Sequence, residues 1–347
     1  MKIRAGIVGI GSFYSSAFAG ALRRIPGVEL VSAAHLGQED RTLVANMGYT
    51  REQYAERFGV RLYETTEQML ESAELNMALV CAPDNQKADH AVRSIEAGLD
   101  TYISKPMTNS PADAHRILAA ARKSDRLVGT LEPAHYDGAI REAHRRVIAG
   151  ELGDVLMARA WIQHGCWPAG RSREGSVEFG DGQGGTMYTL GVYAAGLLNW
   201  FVGTPAERAY AETQNLNSPG FPFPDCVKGV VRYANGRLGS MDIYYAADYG
   251  PAPLWEIEVG GTKGLLRTQQ SSFEGFAWKG GAVQAFYRSQ NDVIQGAMES
   301  WVGSCRERKP PDFDAEAASA VIEICKAWEL SAAQGRAVAL PLRALAV

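Results

Sequence analysis

Three side chains that can transfer a proton stand at or within apolar segments of the chain. Lys105 and His164 each follow a segment that predicts a β-strand, and Tyr193 lies in a segment that predicts a helix. The reference pKa of histidine is about 6.5, and a neighbouring cation lowers the pKa of tyrosine from its usual value of about 10. These residue types predict general acid–base chemistry on a hydroxyl group.

Two arrangements of these groups could move a hydroxyl proton. In the first, Tyr193 relays the proton and Lys105 orients the hydroxyl, with Thr189 four residues before Tyr193 on the same face of the predicted helix. In the second, His164 is the base and acts from the loop that follows its strand. The sequence leaves both open. It also leaves open that Tyr193 packs in the core and that His164 only ends its strand.

A glycine-rich turn follows the first apolar segment of the chain. Gly9 and Gly11 fill the first two positions of the dinucleotide fingerprint, in which a tight turn lets backbone N–H groups approach a pyrophosphate. The third position, usually a small residue, holds Tyr14. The turn predicts a phosphate-binding loop, beside the alternative of a turn that only joins a strand to a helix. The candidate contacts in this loop are Gly9, Gly11, Ser12, Phe13 and Tyr14.

The acidic residue that usually binds the adenosine ribose, about 20 residues further on, is missing. His35 stands near that place, and Glu39, Asp40 and Arg41 follow it. A carboxylate of Glu39 or Asp40 could bind the ribose 2′-hydroxyl of NAD, and Arg41 could bind the 2′-phosphate of NADP. The sequence thus predicts NAD or NADP without deciding between them, with His35 and Arg41 as candidate contacts.

Strands and helices alternate over the first 130 residues. The predicted strands are Ile3–Ile10, Val28–Ala34, Met77–Ala82 and Thr101–Ser104, and the predicted helices are Phe13–Arg24, Lys87–Ala97 and one that begins after Ser110. This alternation predicts a parallel, doubly wound sheet of the Rossmann type, whose ligands bind at the carboxyl ends of the strands. Pro83, Asp84 and Asn85 follow one such strand and Lys105 follows another, so we expect them to line the cofactor site.

The second half of the chain has long strands joined by hairpin signals. Val227–Tyr233 and Leu238–Tyr245 flank Asn235-Gly236, a dipeptide that favours a type I′ turn. Further strands are predicted at Val155–Gln163, Trp255–Val259 and Leu265–Thr268, and helices at Thr186–Phe201, Asp292–Arg306 and Ala315–Gln334. We predict a Rossmann domain at residues 1–130 and, at residues 131–347, an α+β domain built on a large, mostly antiparallel, open-faced sheet.

Composition and charge exclude several classes of protein. The 347 residues are 46% hydrophobic and 21% charged with a net charge of −4, which fits a globular protein and offers no basic stripe for nucleic acid. The five cysteines are widely spaced and form no C-x-x-C pair, so we expect no zinc site and a reducing, cytoplasmic setting. Ala5–Leu22 superficially resembles a signal peptide, but its glycines favour a tight turn. No apolar stretch is long enough to predict a membrane span.

The order of these motifs resembles that of the glucose-fructose oxidoreductase/inositol dehydrogenase (Gfo/Idh/MocA) family. The shared features are Gly9-x-Gly11, Pro83-Asp84-Asn85, Ser104-Lys105-Pro106, the segment GQGGTMYTLGVY that ends at Tyr193, and the closing GRAVALPL. The resemblance covers nearly the whole chain. It implies an NAD(P)-dependent oxidoreductase that acts on a hydroxyl of a sugar, a cyclitol or a related polyol. It also implies a homo-oligomer, a dimer or a tetramer, formed through the open sheet.

The chain departs from the family pattern at several places. The family usually reads Glu-Lys-Pro where this chain has Ser104-Lys105-Pro106, and Thr189 stands at the place of its aspartate. Tyr193 stands where the family has a histidine or, in some branches, a tyrosine, and Lys87 stands where it commonly has a histidine. The lysine of the usual lysine-aspartate-histidine arrangement is therefore kept, while its partners are altered.

Candidate substrate contacts lie around the proton-transfer groups. Trp161 and Trp167 flank His164 and could form an apolar platform for the face of a sugar. His135 follows the last predicted strand of the Rossmann domain, where the family often has an arginine-aromatic pair. The predicted substrate contacts are Lys105, His135, Trp161, His164, Trp167 and Tyr193.

The favoured interpretation is hydride transfer between the nicotinamide of NAD(P) and a hydroxyl-bearing carbon of a carbohydrate-like substrate. Two alternatives stay open. In one, a tightly held NAD(H) oxidises the substrate transiently to allow elimination or glycoside cleavage. In the other, the chain is a non-catalytic ligand-binding protein on the same scaffold. No metal, nucleic-acid partner or membrane partner is expected.

Overall fold

A computed structural model of the chain describes residues 2–163, 184–216, 222–245, 254–270, 274–279, 282–287 and 292–342. The predicted site residues His164 and Trp167 lie outside the described residues. The chain forms two compact units. The first contains the residues up to Leu131 together with Ile294–Ser319, and the second contains most of the residues from Glu132 to Val293 and those from Ala320 onward.

The first unit is built on a parallel sheet of six strands. They are β1 (Ile3–Val8), β2 (Val28–Ala34), β3 (Arg61–Tyr63), β4 (Met77–Val80), β5 (Asp100–Ile103) and β6 (Val128–Thr130). Their order in the sheet is β3-β2-β1-β4-β5-β6, and every pairing is parallel. All residues of β4 and β5 are buried, as expected of a sheet that has helices on both faces. The predicted doubly wound Rossmann sheet is confirmed.

Six helices connect these strands. They are α1 (Phe13–Leu22), α2 (Asp40–Met47), α3 (Arg51–Phe58), α4 (Thr66–Ser72), α5 (Lys87–Glu96) and α6 (Pro111–Lys123). Ser110 caps α6, because its side chain accepts a hydrogen bond from the Asp113 N–H and Pro111 occupies the first helical position, as predicted. In the described part of the chain, no helix is both long and apolar enough to cross a membrane.

The sequence prediction missed the elements between β2 and β4. It counted Met77–Ala82 as the third strand, whereas that segment contains the fourth, and α2, α3, β3 and α4 precede it. The three residues of β3 are too few to show an alternating pattern, and none of them is fully buried. The two capping boxes at Thr50 and Thr65, each with a glutamine three residues later, are the signal that marks α3 and α4.

The second unit is built on a sheet of nine strands. They are β7 (Val155–Gln163), β8 (Ala206–Gln214), β9 (Cys226–Tyr233), β10 (Leu238–Tyr244), β11 (Leu254–Gly261), β12 (Gly264–Gln269), β13 (Glu274–Lys279), β14 (Ala282–Tyr287) and β15 (Val338–Ala339). Their order is β14-β13-β12-β11-β7-β10-β9-β8-β15. The pairing of β7 with β10 is parallel and the other pairings are antiparallel. The predicted large, mostly antiparallel sheet is confirmed.

Helices cover one face of this sheet. The helices in the second half of the chain are α7 (Gly138–Ile148), α8 (Val192–Val202), α9 (Val293–Glu307), which belongs to the first unit, and α10 (Ala315–Gln334). Helix α8 packs on β7 and β10, and the Trp328 indole N–H of α10 donates to the Val230 carbonyl at 3.2 Å. Alternate residues of β9, such as Val227 and Val231, are therefore buried, while Lys228, Val230 and Arg232, which alternate with the buried residues, are exposed.

Two local predictions in the second unit have different outcomes. Asn235 and Gly236 both have positive φ, at 65° and 79°, as the type I′ turn predicted for the β9–β10 hairpin requires. The helix predicted at Thr186–Phe201 is present, but its first turns are not α-helical. Met187–Gly191 forms a π-helix that leads into α8. Inserted π turns are rare and are frequent at functional sites.

Helix α9 belongs to the first unit, although it lies far beyond Leu131 in the chain. A single boundary near residue 130 therefore does not describe this return of the chain to the first unit. Trp301 of α9 is buried against Tyr102 of β5, with ring centroids 5.1 Å apart. Arg308, just after α9, donates to the Asp100 carboxylate at 2.6 Å and to the Asp125 carbonyl at 2.8 Å. An amphipathic helix can bury its apolar face against any sheet, so periodicity alone does not reveal which unit it joins.

Candidate functional site

Three loops of the first unit meet at the carboxyl edge of its sheet. They follow the adjacent strands β1, β4 and β5, and the backbone joins them: the Cys81 N–H donates to the Val8 carbonyl at 2.7 Å, and the Ser104 N–H donates to the Val80 carbonyl at 2.9 Å. The predicted groups Gly9–Tyr14, Pro83–Asn85 and Lys105 therefore lie side by side. Ligands of doubly wound sheets bind at this edge.

The glycine turn after β1 has the geometry of a phosphate-binding loop. Gly9 has a φ of +88°, and a Cβ on it would lie 2.8 Å from the Ala82 backbone nitrogen, so only glycine fits. Ser12 precedes α1 without capping it through its side chain, which leaves the first N–H groups of that helix available to an anion. Phe13 is exposed, and Tyr14, at the place of the third glycine, packs against Phe18.

Lys87, the first residue of α5, is buried and ties two of the three loops together. Its ammonium group lies 2.8 Å from an Asp84 carboxylate oxygen and donates to the Ser104 carbonyl at 3.1 Å and the Pro106 carbonyl at 2.7 Å. The two carbonyls belong to the residues immediately before and after Lys105. Lys87 therefore fixes the backbone on both sides of Lys105 and holds it against the turn that contains Asp84.

Lys105 itself is nearly buried, with 9% of its surface exposed. Ser104, at the place of the family's glutamate, turns inward and lies beside the thiol of Cys81. Burial raises the pKa of that thiol to about 12, so it is neutral at physiological pH. Of the three residues in the Ser104-Lys105-Pro106 segment, Lys105 has the long cationic side chain that can reach a ligand. The structure thus places the predicted lysine at the expected strand end.

The predicted cofactor contacts His35 and Arg41 follow β2, and they differ in their contacts and exposure. His35 continues β2, with its N–H donating to the Tyr63 carbonyl at 2.9 Å, and burial, followed by the charge of Arg51, lowers the pKa of its ring below 6.5. Arg41 is 89% exposed and lies 3.5 Å from the Glu39 carboxylate. The Asp40 carboxylate accepts hydrogen bonds from the backbone and side chain of Arg51.

The second predicted group lies in the second unit, on the π-helix and α8. Thr189 is half-buried within the π-helix, and Tyr193 is buried, with its ring centroid 4.8 Å from that of Trp255. Tyr188, beside Thr189, directs its hydroxyl to Glu329 of α10 at 3.5 Å, and burial raises the pKa of both Tyr188 and Glu329. The pairing of Tyr193 with Lys105 stays a prediction.

Trp161 and Tyr193 lie on opposite faces of the second sheet. Tyr193 packs on Trp255, whose partner on β7 is the buried Ile162, whereas the neighbouring Trp161 points the other way and is only half-buried. Successive side chains of a strand alternate between faces, so the adjacent residues Trp161 and Ile162 point to opposite faces of the sheet. The structure therefore does not bring Trp161 to Tyr193 as the prediction of a shared substrate site required.

His135 is buried in a stack of aromatic rings. Its ring and that of His144 both stack on Trp200, with centroids 3.9 Å apart in each pair. Burial, with smaller contributions from His144 and Arg141, lowers the pKa of His135 to about 3. The imidazole is therefore neutral at physiological pH, which suits packing better than the binding of an anionic group.

Comparison with known proteins identifies the family. Residues 3–131 match the oxidoreductase family with an NAD-binding Rossmann fold, and residues 140–267 match the GFO/IDH/MocA C-terminal domain. The chain belongs to the Gfo/Idh/MocA oxidoreductase family. The resemblance seen in the sequence is confirmed, and the first unit is its NAD-binding Rossmann domain.

Individual proteins resemble this chain over nearly its whole length. Inositol 2-dehydrogenase 3 of Saccharopolyspora erythraea is 23% identical over 354 residues, which cover 99% of this chain and 97% of that protein. An oxidoreductase domain protein from Kribbella flavida has a TM-score of 0.85 at 19% identity, covering 99% and 100% of the two chains. An oxidoreductase from Agrobacterium radiobacter, crystallised with NAD+, L-tartaric acid and magnesium, has a TM-score of 0.83 at 15% identity, covering 98% of each. The two structural matches show a shared fold.

The residues of this chain fit a dinucleotide cofactor. The glycine turn and the uncapped start of α1 suit a pyrophosphate. Two buried polar atoms after β2, Nδ1 of His35 and Oε1 of Gln38, have no hydrogen-bond partner among the described residues, and buried polar atoms are normally paired. The described residues contain no group of three potential metal ligands.

Proposed function

We propose that the protein transfers a hydride between the nicotinamide of NAD or NADP and a hydroxyl-bearing carbon of a cyclitol, a sugar or a related polyol. The observation that carries this proposal is the meeting of the glycine turn, the Pro83–Asn85 turn and Lys105 at one edge of the Rossmann sheet. The inositol dehydrogenase relative supports the substrate class. Bound nicotinamide supplies the hydride acceptor or donor.

The protein's own groups bind the substrate and move the hydroxyl proton. Lys87 holds the backbone on either side of Lys105 through the Ser104 and Pro106 carbonyls, and we assign to the Lys105 ammonium group the role of orienting a substrate hydroxyl. Oxidation of an alcohol releases the hydroxyl proton, which a base must accept. We assign this proton to Tyr193, with Thr189 beside it, and keep His164 as the rival base.

The test of this proposal is the absorbance at 340 nm when the pure protein, NAD or NADP, and each member of a panel of inositols and sugars are mixed. Net formation of reduced cofactor with at least one polyol supports the dehydrogenase. Product without any change at 340 nm supports transient oxidation by a tightly held cofactor instead. Cofactor binding without conversion of any polyol, in either direction, contradicts both enzymatic proposals.

Tyr193→Phe is expected to lower kcat by about 10²-fold or more, because it removes the hydroxyl that relays the proton and keeps the ring that packs on Trp255. Steady-state kinetics with the best polyol measure the change. Tyr188→Phe is the matched control, since Tyr188 lies in the π-helix just before α8 but directs its hydroxyl to Glu329. An unchanged kcat in Tyr193→Phe assigns the proton to His164.

We also propose that the exposed face of the second sheet forms a contact between copies of the chain. Met157 of β7 pairs with Leu238 of β10, and they are 53% and 52% exposed; Val230, on the next strand, is 49% exposed. Adjacent exposed apolar side chains of this kind mark protein–protein contacts. The charged side chains of Arg159, Asp242 and Lys228 lie on the same face and pair with one another.

A double variant, Met157→Lys with Leu238→Lys, is expected to reduce the mass in solution to that of a single chain, because two charges would be buried without partners at the contact. Light scattering after size-exclusion chromatography measures the mass. Val44→Lys, at an equally exposed apolar position of α2, is the control and should keep the wild-type mass. A wild-type protein that is already a single chain contradicts the proposal.

The cysteines support a cytoplasmic location, which we also propose. Cys81, Cys226, Cys305 and Cys325 are free thiols, and three of them are buried. Free buried thiols suit a reducing compartment.

A further inference from the structure

A tight turn after β2 folds Gln38 back towards the glycine turn of the first unit. The Gln38 N–H donates to the His35 carbonyl at 3.1 Å, and the two residues between them, Leu36 and Gly37, have φ values of 56° and 69°. A leucine in this left-handed region is uncommon, and such a conformation persists where the surrounding fold imposes it. The turn is thus a fixed feature of the edge at which the cofactor binds.

The side chain of Gln38 lies directly over Gly11. A Cβ built on Gly11 would lie 2.2 Å from Nε2 and 2.8 Å from Oε1 of Gln38. Oε1 is buried and has no hydrogen-bond partner among the described residues, and the same holds for Nδ1 of the nearby His35. A carboxamide accepts hydrogen bonds through its oxygen and donates them through its NH2 group.

The charged residues that follow Gln38 have other partners. Asp40 accepts hydrogen bonds from the Arg51 N–H at 2.8 Å and from its Nε at 3.1 Å, which joins α2 to α3. Glu39 and Arg41 are 71% and 89% exposed and lie 3.5 Å apart. The polar side chain nearest to Gly11 at this edge is therefore the uncharged carboxamide of Gln38.

We propose that Gln38 binds the adenosine ribose of the cofactor and sets the preference between NAD and NADP, in place of the acidic residue of the usual fingerprint. This inference rests on the proposed cofactor-dependent function. The Gln38 oxygen accepts from a ribose 2′-hydroxyl, and its NH2 group donates to a 2′-phosphate. An uncharged group at this place does not repel the phosphate, so the wild type is expected to bind NAD and NADP with dissociation constants within about tenfold of each other.

The experiment measures dissociation constants for NAD and for NADP by isothermal titration calorimetry, which does not depend on turnover. Gln38→Glu keeps the shape and adds a negative charge, so we expect NADP binding to weaken at least about tenfold relative to NAD binding. Gln38→Ala is expected to weaken the binding of both. Glu39→Gln and Arg41→Ala test the rival contacts named from the sequence, and we expect both to keep the wild-type ratio of the two dissociation constants.

The outcomes separate this inference from the proposed function. If Gln38→Glu is folded, as judged by thermal melting, and keeps the wild-type ratio of dissociation constants, the role of Gln38 is overturned while the proposed function stands. A shift of the ratio in Arg41→Ala as large as that in Gln38→Glu also overturns it. Wild-type protein that binds neither NAD nor NADP overturns both the inference and the proposed function.

Discussion

Lys105→Ala is expected to lower kcat by about 10²- to 10⁴-fold, while the dissociation constant for NAD(P) changes little. Lys105 lies just beyond β5, at the edge of the sheet where the glycine turn and the Pro83–Asn85 turn also lie. Lys87 holds the backbone on both sides of Lys105, which fixes the point from which its side chain starts. Interactions that orient the reacting hydroxyl act on kcat, whereas the phosphate-binding backbone of the glycine turn is untouched by this change.

Steady-state kinetics and calorimetric titration with NAD and NADP measure the two effects separately. Lys309→Ala is the control, because Lys309 is an exposed lysine of the first unit that pairs with Glu307. If Lys105→Ala kept the wild-type kcat, Lys105 would have no part in the proposed reaction. A loss of cofactor binding equal to the loss of kcat would make Lys105 a cofactor contact rather than a group that acts on the substrate.

Lys87→Met is expected to lower the free energy of unfolding by about 3–5 kcal/mol, the range for breaking a buried ion pair from one side. The ammonium group is buried, and its loss leaves the Asp84 carboxylate and the carbonyls of Ser104 and Pro106 without this donor. In the fraction that folds, kcat is expected to fall by about 10²-fold, since a displacement of Lys105 by about 1 Å is enough for such a loss.

Urea denaturation followed by circular dichroism measures the stability of this variant. Asp84→Asn added to Lys87→Met is expected to recover part of the loss, because the unpaired charge is removed and the carbonyls stay unpaired. Lys123→Met, at an exposed lysine at the end of α6, is the control. A denaturation midpoint of Lys87→Met equal to that of the wild type would contradict a structural role for the Lys87 ion pair.

The elements that could be predicted are those whose sequence carries a strong local pattern. Val28–Ala34, Val155–Gln163 and Ala315–Gln334 have the predicted bounds, and the burial of Val155–Gln163 alternates from Ala158 onward. Asn235-Gly236 determines its hairpin because both residues tolerate positive φ. Strand β3 could not be found in the same way, because its three residues carry no period.

The positions of site residues could be predicted where a rule about strand ends applies. They could not be predicted where the burial of a single side chain decides the geometry. Lys105 follows a strand end, and the carboxyl edge of a parallel sheet binds ligands, so its position is expected from the sequence. The burial of Lys87 has no sequence signal, because lysine at the start of a helix is usually exposed. Gln38 reaches Gly11 through a positive φ at Leu36, a conformation that a leucine does not indicate.

The central claim is that the edge formed by the glycine turn, the Pro83–Asn85 turn and Lys105 binds NAD(P) for hydride transfer. A crystal structure of the protein with NAD bound tests it most directly. The predicted result places the pyrophosphate on the Gly9–Gly11 turn and the start of α1, and the nicotinamide within reach of the Lys105 ammonium group. Density for NAD elsewhere, or a nicotinamide directed away from Lys105, would contradict the claim.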